Sequence, residues 1–500
     1  MENPAEEIFK LWPTQLNRNV FASIMRAGSR AKVEQAHPLV RRKYQRHPDP
    51  RSPLVEAYLF FSRRIEAWVT ESISTSQQSE EDRALALLGT LQQDFCVVEI
   101  ALSDGDDSQE IFYSLNSQGQ PLSQSDLLRS LVFMRAEKEK EDRDALFADY
   151  WNIFETDFWS TEIKRGGRTY SRLDLALRHF LTVKKGTLID ARRVNEEYRR
   201  WIAGAPAPYP SVRAELADFC RYADVIRAFE GVSPGTKSTA IARILHDLDI
   251  STAIPVVLFL NLEADLSEEQ LRSCFAVLES FIVRRAFNGD ETKEYNKLFV
   301  EVVSSLRGRR GTDVQPTLEA KLLSGGGTTR AWPTNEQIVE RALTATIYER
   351  QKQAMLRLIL ERLELRMRGK KSEGDEIPTG LQIEHVMPQN WYANWPINGT
   401  NVSSLHASYP VALDAEQPSL ADAIRVRNAS VNTLGNLTLV NRYLNPAASN
   451  GGFELKRAEY AHSVLRLNRY FDGCTEWNET AIRERSRALG ELITVIWPRP

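Results

Sequence analysis

Cysteine is scarce in this chain of 500 residues. Its four cysteines, Cys96, Cys220, Cys274 and Cys474, lie far apart and form no Cys-x-x-Cys pair. That excludes a disulfide framework and argues against a zinc knuckle. No apolar run approaches the roughly 18 residues of a membrane span, so none is expected. The opening residues, Met1-Glu-Asn-Pro-Ala-Glu-Glu, lack the basic and apolar regions of a signal peptide. Together these absences predict a cytoplasmic protein with no membrane partner. Charge of one sign is also lacking: 64 Lys and Arg face 67 Asp and Glu, a net charge of -3. Blanket affinity for nucleic acid is therefore excluded, and any such binding must come from local patches. The rest is ordinary for a globular chain, at 42% hydrophobic and 26% charged residues. The length implies more than one domain.

Most of residues 1–325 read as helix. Apolar residues recur every three or four positions from Pro53 to Ile73 and from Glu80 to Gln93. Phe95 to Leu102 reads as a lone β-branched strand, and Gln109 to Leu115 as a helix stopped by Asn116-Ser-Gln-Gly119. Ser123-Gln-Ser-Asp126 opens the next helix with a capping-box pattern. Further helices are expected over Arg135–Trp159, Asp174–Val183, Val194–Trp201, Val212–Phe229, Ile241–Leu248, Ser251–Leu262 and Ser267–Val283. Ser324-Gly-Gly-Gly-Thr-Thr329 reads as a linker. Asn335 to Glu364 is again helical. From about residue 379 the pattern changes to short strands and long loops rich in Asn, Ser and Pro. The expected fold class is mainly α with a C-terminal α+β module. The expected domains are a helical regulatory or interaction region, 1–325, and a module with preceding helices, 326–500.

The chemistry concentrates in that module. Leu381-Gln-Ile-Glu-His-Val-Met-Pro-Gln389 places an acid beside a histidine at the end of a short strand. Asn432-Thr-Leu-Gly-Asn-Leu-Thr-Leu-Val-Asn441 supplies a second strand carrying Asn436, and Asn445 follows. A neutral imidazole can take a proton from water, and a divalent metal can stabilise a leaving oxygen. A hard cation such as Mg2+ or Mn2+ prefers oxygen ligands, which Glu384 and Asn445 would supply. His385 is then the expected base, and Asn436 would hold its tautomer through a side-chain or backbone contact. Neighbours in a strand point to opposite faces. Glu384 and His385 can share a site only if the chain bends at the strand end, where Pro388 stops it.

These residues resemble two known patterns. Glu384-His385, Asn436 and Asn445 form the residue set of HNH nucleases, and the interval from Asn436 to Asn445 is similar to that in the HNH domain of CRISPR effector nucleases. Ile383-Glu-His-Val-Met-Pro-Gln389, Leu434-Gly-Asn-Leu-Thr-Leu439, and Asn445 through Ser449-Asn-Gly-Gly-Phe453 to Lys456 resemble the GmrSD-type modification-dependent restriction endonucleases. Lys10-Leu-Trp-Pro-Thr14, Phe112 to Asp126 and Val283-Arg-Arg-Ala-Phe-Asn288 are similar to the helical part of that family's regulatory half. The resemblance implies a C-terminal HNH, or ββα-metal, nuclease domain of a type IV-like restriction or anti-phage system. It implies a metal ligand at Asn445, with Asn450 as the alternative, and a phosphate contact at Lys456. The family's N-terminal ParB/sulfiredoxin-like domain, with its Asp-Gly-Gln-Gln-Arg nucleotide motif, is expected to be absent. Nucleotide dependence would then come only through a missing or partner domain, on a separate polypeptide. An exposed apolar patch near Leu11, Trp12 and Phe112–Leu115 would receive it.

Between Arg425 and Arg469 seven Arg or Lys face two acids, with Tyr443, Phe453 and Tyr460 interleaved. Arg442, Lys456 and Arg457 are the expected phosphate contacts of a DNA track. His37, His47, His179, His246, His406 and His462 have no such company and read as structural or solvated. Two rival readings stand beside the nuclease. One is a non-catalytic DNA-binding regulatory subunit of a defence complex, which the intact Glu–His–Asn–Asn set disfavours. The other is an RNase or toxin using the same site, since metal chemistry at a phosphate does not separate DNA from RNA.

Overall fold

A computed structural model describes residues 9, 13, 17–40, 51–70, 79–96, 123–165, 168–230, 240–327, 329–368, 377–441 and 451–500. The chain is mainly helical, as its periodicity predicts. It divides into two compact units, residues 1–121 and 122–500. Helices of seven residues or more are numbered below.

In the first unit α1 (Arg18–Ala27), α2 (Arg30–Ala36) and α3 (Pro53–Thr70) gather around Ile24, Val33, Val55 and Leu59. α4 (Glu80–Gln93) starts at a capping box made by Ser79 and Asp82. The strand expected from Phe95 lies almost wholly outside the described residues. So do the Gln109–Leu115 helix and the apolar patch at Leu11, Trp12 and Phe112–Leu115.

In the second unit α5 (Gln124–Lys138) opens at the expected capping box of Ser123 and Asp126. The long helix expected over Arg135–Trp159 is broken instead. Lys140 takes a left-handed φ of 57° and short helical turns follow. A hairpin absent from the sequence reading, β1 (Glu162–Arg165) and β2 (Arg168–Ser171), precedes α6 (Arg172–Lys185). Then come α7 (Val194–Ile202), α8 (Val212–Glu230), α9 (Ala240–Leu248) and α10 (Ile254–Leu262). α10 buries Ile254 to Leu260 without a break, so it is the centre of the helical array. α11 (Glu268–Asn288) runs past the expected Val283 to Gly289, whose φ of 81° closes it.

α12 (Tyr295–Leu306), α13 (Val314–Leu323), α14 (Asn335–Thr344) and α15 (Gln353–Met367) complete the array. One core runs from Leu128 on α5 to Trp497, across the glycine-rich stretch at Gly325. That stretch is tied down. Arg285 on α11 donates to the Thr329 carbonyl (2.8 Å) and the Ala331 carbonyl (2.6 Å), and Ala331 N–H to Gly327 O (3.0 Å). Arg284, also buried, donates to the carbonyls of Trp497 and Pro333 and to Asn335 Oδ1.

The last segment carries β3 (Gln382–His385), α16 (Pro418–Val431), β4 (Leu437–Val440), α17 (Phe453–Tyr460) and α18 (Glu479–Ile496). β3 and β4 pair antiparallel, with His385 opposite Leu437 and Glu384 opposite Thr438. Asn436 ends a 3-10 turn just before β4. A second core of Val386, Met387, Trp391, Trp395, Tyr460 and Trp477 lies under the loop that leaves β3. Among the described residues no helix is long and apolar enough to cross a membrane.

Candidate functional site

His385 ends β3 and is only 7% exposed. Its Nε2 lies 2.8 Å from Asn432 Oδ1. The Asn432 Nδ2 donates to Glu349 Oε1 at 2.6 Å. A carboxylate only accepts, so this contact fixes the amide with its oxygen toward the imidazole. Nε2 must therefore carry the proton, and the neutral ring keeps its lone pair on Nδ1. Gln389 Nε2 also donates to Asn432 Oδ1 (3.1 Å). The Tyr348 ring meets the imidazole edge-on, with centroids 4.3 Å apart. Tyr348 N–H donates to the Asn432 carbonyl at 3.2 Å. A short turn between α14 and α15 thus builds one wall of the site.

Burial pushes the His385 pKa down to about 4; the Lys456 ammonium adds to the shift and the Asn432 contact opposes it. His385 is neutral at pH 7 in the folded chain. In the unfolded chain it titrates near 6.5. Below that pH the unfolded state takes up a proton that the folded state refuses, so stability falls as pH drops toward 4. From pH 7 to pH 5 the loss from this group should be about 2 kcal/mol. Urea unfolding at both pH values checks it, and His385→Asn should remove that part of the difference. An unchanged difference would show that the ring is already charged or solvated.

Asn436 makes no hydrogen bond to the imidazole, which corrects the expected role. It is fully buried and clamps backbone instead. Its Oδ1 accepts from Met387 N (2.8 Å) and Trp477 Nε1 (3.0 Å), and its Nδ2 donates to Met387 O and Val431 O (both 2.8 Å). Its own carbonyl accepts from Val386 N (2.9 Å). Asn436 therefore sets the bend after β3. The imidazole is held by Asn432, four residues earlier. Nothing in the sequence separates Asn432 from a turn asparagine except the Glu349 that meets it in space.

Glu384 and His385 point to different partners, and no hydrogen bond joins their side chains. Glu384 Oε1 accepts from Lys456 Nζ at 2.7 Å. Lys456 also donates to the His385 carbonyl at 2.6 Å and is fully buried. Desolvation lowers its pKa, and Glu384 opposes that shift. The expected phosphate contact is thus an internal ion pair tying α17 to β3. The Tyr460 hydroxyl is buried without a hydrogen-bond partner. Burial raises its pKa, and the Glu384 carboxylate adds to the shift. Arg457 donates to the Cys474 carbonyl (2.8 Å) and to Glu454 (2.6 Å). Arg442, Asn445 and Asn450 lie outside the described residues.

The fit to a divalent metal is partial. Glu384 offers oxygens that a hard cation accepts, and the unpaired Tyr460 oxygen lies in its electrostatic reach. Lys456 competes for the same carboxylate. Among the described residues no three His, Cys, Asp or Glu side chains cluster as a metal cage.

A paired β3–β4 ladder, a neutral buried histidine at its end and a lysine–glutamate pair from the following helix define a small polar site beside a helical array. Residues 332–492 match the C-terminal domain of the GmrSD restriction endonucleases, and residues 1–133 match their N-terminal domain. The chain belongs to the GmrSD restriction endonuclease family, which makes it a restriction nuclease. The match over residues 1–133 corrects the expectation that the N-terminal domain is absent, although the Asp-Gly-Gln-Gln-Arg motif does not occur in the sequence. A search of curated proteins gives no match.

Proposed function

We propose that this chain is a metal-dependent DNA endonuclease of a type IV-like restriction or anti-phage system, with an HNH, or ββα-metal, site around His385. The observation that carries this reading is the neutral imidazole whose Nε2–H is committed to Asn432. Its Nδ1 is left to take a proton from water as the water oxygen attacks phosphorus. Asn436 sets the loop that positions the ring, and Lys456 holds Glu384 and the His385 carbonyl in register. A divalent ion held by Glu384 and Asn445 would relieve charge on the phosphate and the leaving oxygen.

The test is cleavage of labelled DNA by the purified chain with Mg2+ or Mn2+, with EDTA as the stop. RNA of the same sequence in a parallel reaction decides the nucleic acid. A second reading, a non-catalytic DNA-binding subunit, draws support from one observation: Lys456 already occupies the Glu384 carboxylate. DNA binding without metal-dependent cleavage would favour it.

The Asn432 contact makes a separate prediction. Asn432→Ala removes the acceptor that fixes the tautomer and should lower the cleavage rate by about ten- to a hundred-fold, with KM little changed. Glu349→Gln, which frees the amide to turn, should lose less. Single-turnover kinetics separate the rate from binding. A wild-type rate in a folded Asn432→Ala protein would show that the ring needs no such support.

A further inference from the structure

A cavity of about 390 Å³ opens in the helical array, far along the chain from His385 and outside both family-matched segments. It is walled by Trp201, Tyr209, Phe259 and Lys184, and edged by Arg307 and Arg310. We propose that this pocket binds a small ligand bearing two or more phosphates.

The charge balance is the first argument. Lys184 pairs with Asp218 Oδ2 at 2.7 Å and Glu263 Oε1 at 2.6 Å, and Arg221 pairs with Asp218 Oδ1 at 3.1 Å, so two cations balance the two carboxylates of the wall. Tyr209 donates to Asp218 at 2.6 Å, and Tyr222 donates to Glu263. The two carboxylates are thus satisfied within the wall. The loop Arg307-Gly-Arg-Arg-Gly311 then adds three guanidiniums, those of Arg307 and Arg310 at the pocket itself, and among the described residues none of them is in an ion pair. Arg307 donates to the Lys185 carbonyl, and Arg310 to the Arg309 carbonyl. The rim therefore carries an unbalanced positive charge.

The shape of the loop is the second argument. Gly308 and Gly311 both take left-handed φ, 77° and 52°, which a side chain would resist. Gly311 N–H is anchored to the Ala264 carbonyl at 3.0 Å. Arg307 lies directly over Gly186, where a Cβ would stand 2.7 Å from its Cδ. The arginine is thus held at the pocket edge by a glycine that leaves it room. Guanidinium forks match phosphate oxygens, and several such oxygens can use more than one fork. The concave shape and volume fall in the range of small-ligand sites rather than of a nucleic-acid track.

Isothermal titration of the full chain with inorganic pyrophosphate tests this. Saturable binding at one site per chain is expected, with a dissociation constant below about 1 mM at about 0.15 M salt. The exposed pair Arg307→Ala with Arg310→Ala should weaken it at least about ten-fold at an unchanged thermal midpoint. Gly186→Leu, which pushes Arg307 away, should weaken it too. Citrate should bind about ten-fold less tightly than pyrophosphate. No saturation at millimolar pyrophosphate, or equal binding by the folded double variant, would overturn the assignment. Citrate binding as well as pyrophosphate would overturn the phosphate class.

Discussion

His385→Ala should cut the DNA cleavage rate by about two to four orders of magnitude while the protein stays folded. The reasoning runs through one lone pair. Asn432 Oδ1 accepts the hydrogen bond from Nε2–H, and Glu349 prevents the amide from turning its nitrogen to the ring. Burial keeps the ring uncharged at working pH. Alanine removes the group so prepared, while β3 keeps its ladder to β4 because the backbone pairing is untouched. Initial rates at saturating Mg2+, read beside circular dichroism and a thermal midpoint, check it. A well-folded variant that cleaves like the wild type would remove His385 from the chemistry.

The second large effect concerns stability. Gly435→Ala should destabilise the second unit by about 3 kcal/mol or more. A Cβ on Gly435 would meet the Ile482 carbonyl and the Ser486 hydroxyl of α18, and would stand 2.6 Å from Ser486 N. These are backbone atoms or are bonded to it: Gly435 N–H donates to Ser486 Oγ at 2.9 Å. Arg485, fully buried, holds the same turn through Gly435 O (2.6 Å) and Leu437 O (2.9 Å). No rotamer change relieves the clash, so α18 must shift away from the turn that carries Asn436. Urea unfolding checks it, and a loss under about 0.5 kcal/mol would mean that helix and turn are not in fixed contact.

Much of this was legible in the chain. β3 and β4 were expected as short strands, and the acid–histidine pair marks the end of the first. The helical array follows from apolar periodicity, and its capping box at Ser123 from side-chain chemistry. Other parts were not legible, for physical reasons. Lys456 reads as a phosphate contact, and only the placement of Glu384 and the His385 carbonyl shows it buried in an internal ion pair. Asn432 and Asn436 are both amides near a turn. Which one meets the imidazole depends on Glu349, 83 residues from Asn432. The β1–β2 hairpin offers one apolar pair, Ile163 opposite Tyr170, among charged and polar residues, too short an alternation to read. Helix α5 ends at Lys138 because Lys140 turns left-handed, which no propensity of lysine foretells.

The paired arginines of α11 have a consequence for how such a protein can be divided or exchanged. Arg284 and Arg285 donate to carbonyls of the stretch at 329–333 and of Trp497 just past α18, and Arg285 also to the nearby Glu291 carbonyl. A cut at the glycines near 325 would take the Pro333 and Trp497 carbonyls from Arg284 and the Thr329 and Ala331 carbonyls from Arg285, leaving two buried guanidiniums short of acceptors on one side. It would leave a row of bare carbonyls on the other. Transplanting the β3–β4 site onto another helical scaffold at that point should therefore fail, however flexible the sequence there looks. A graft has better prospects if α11 travels with the site.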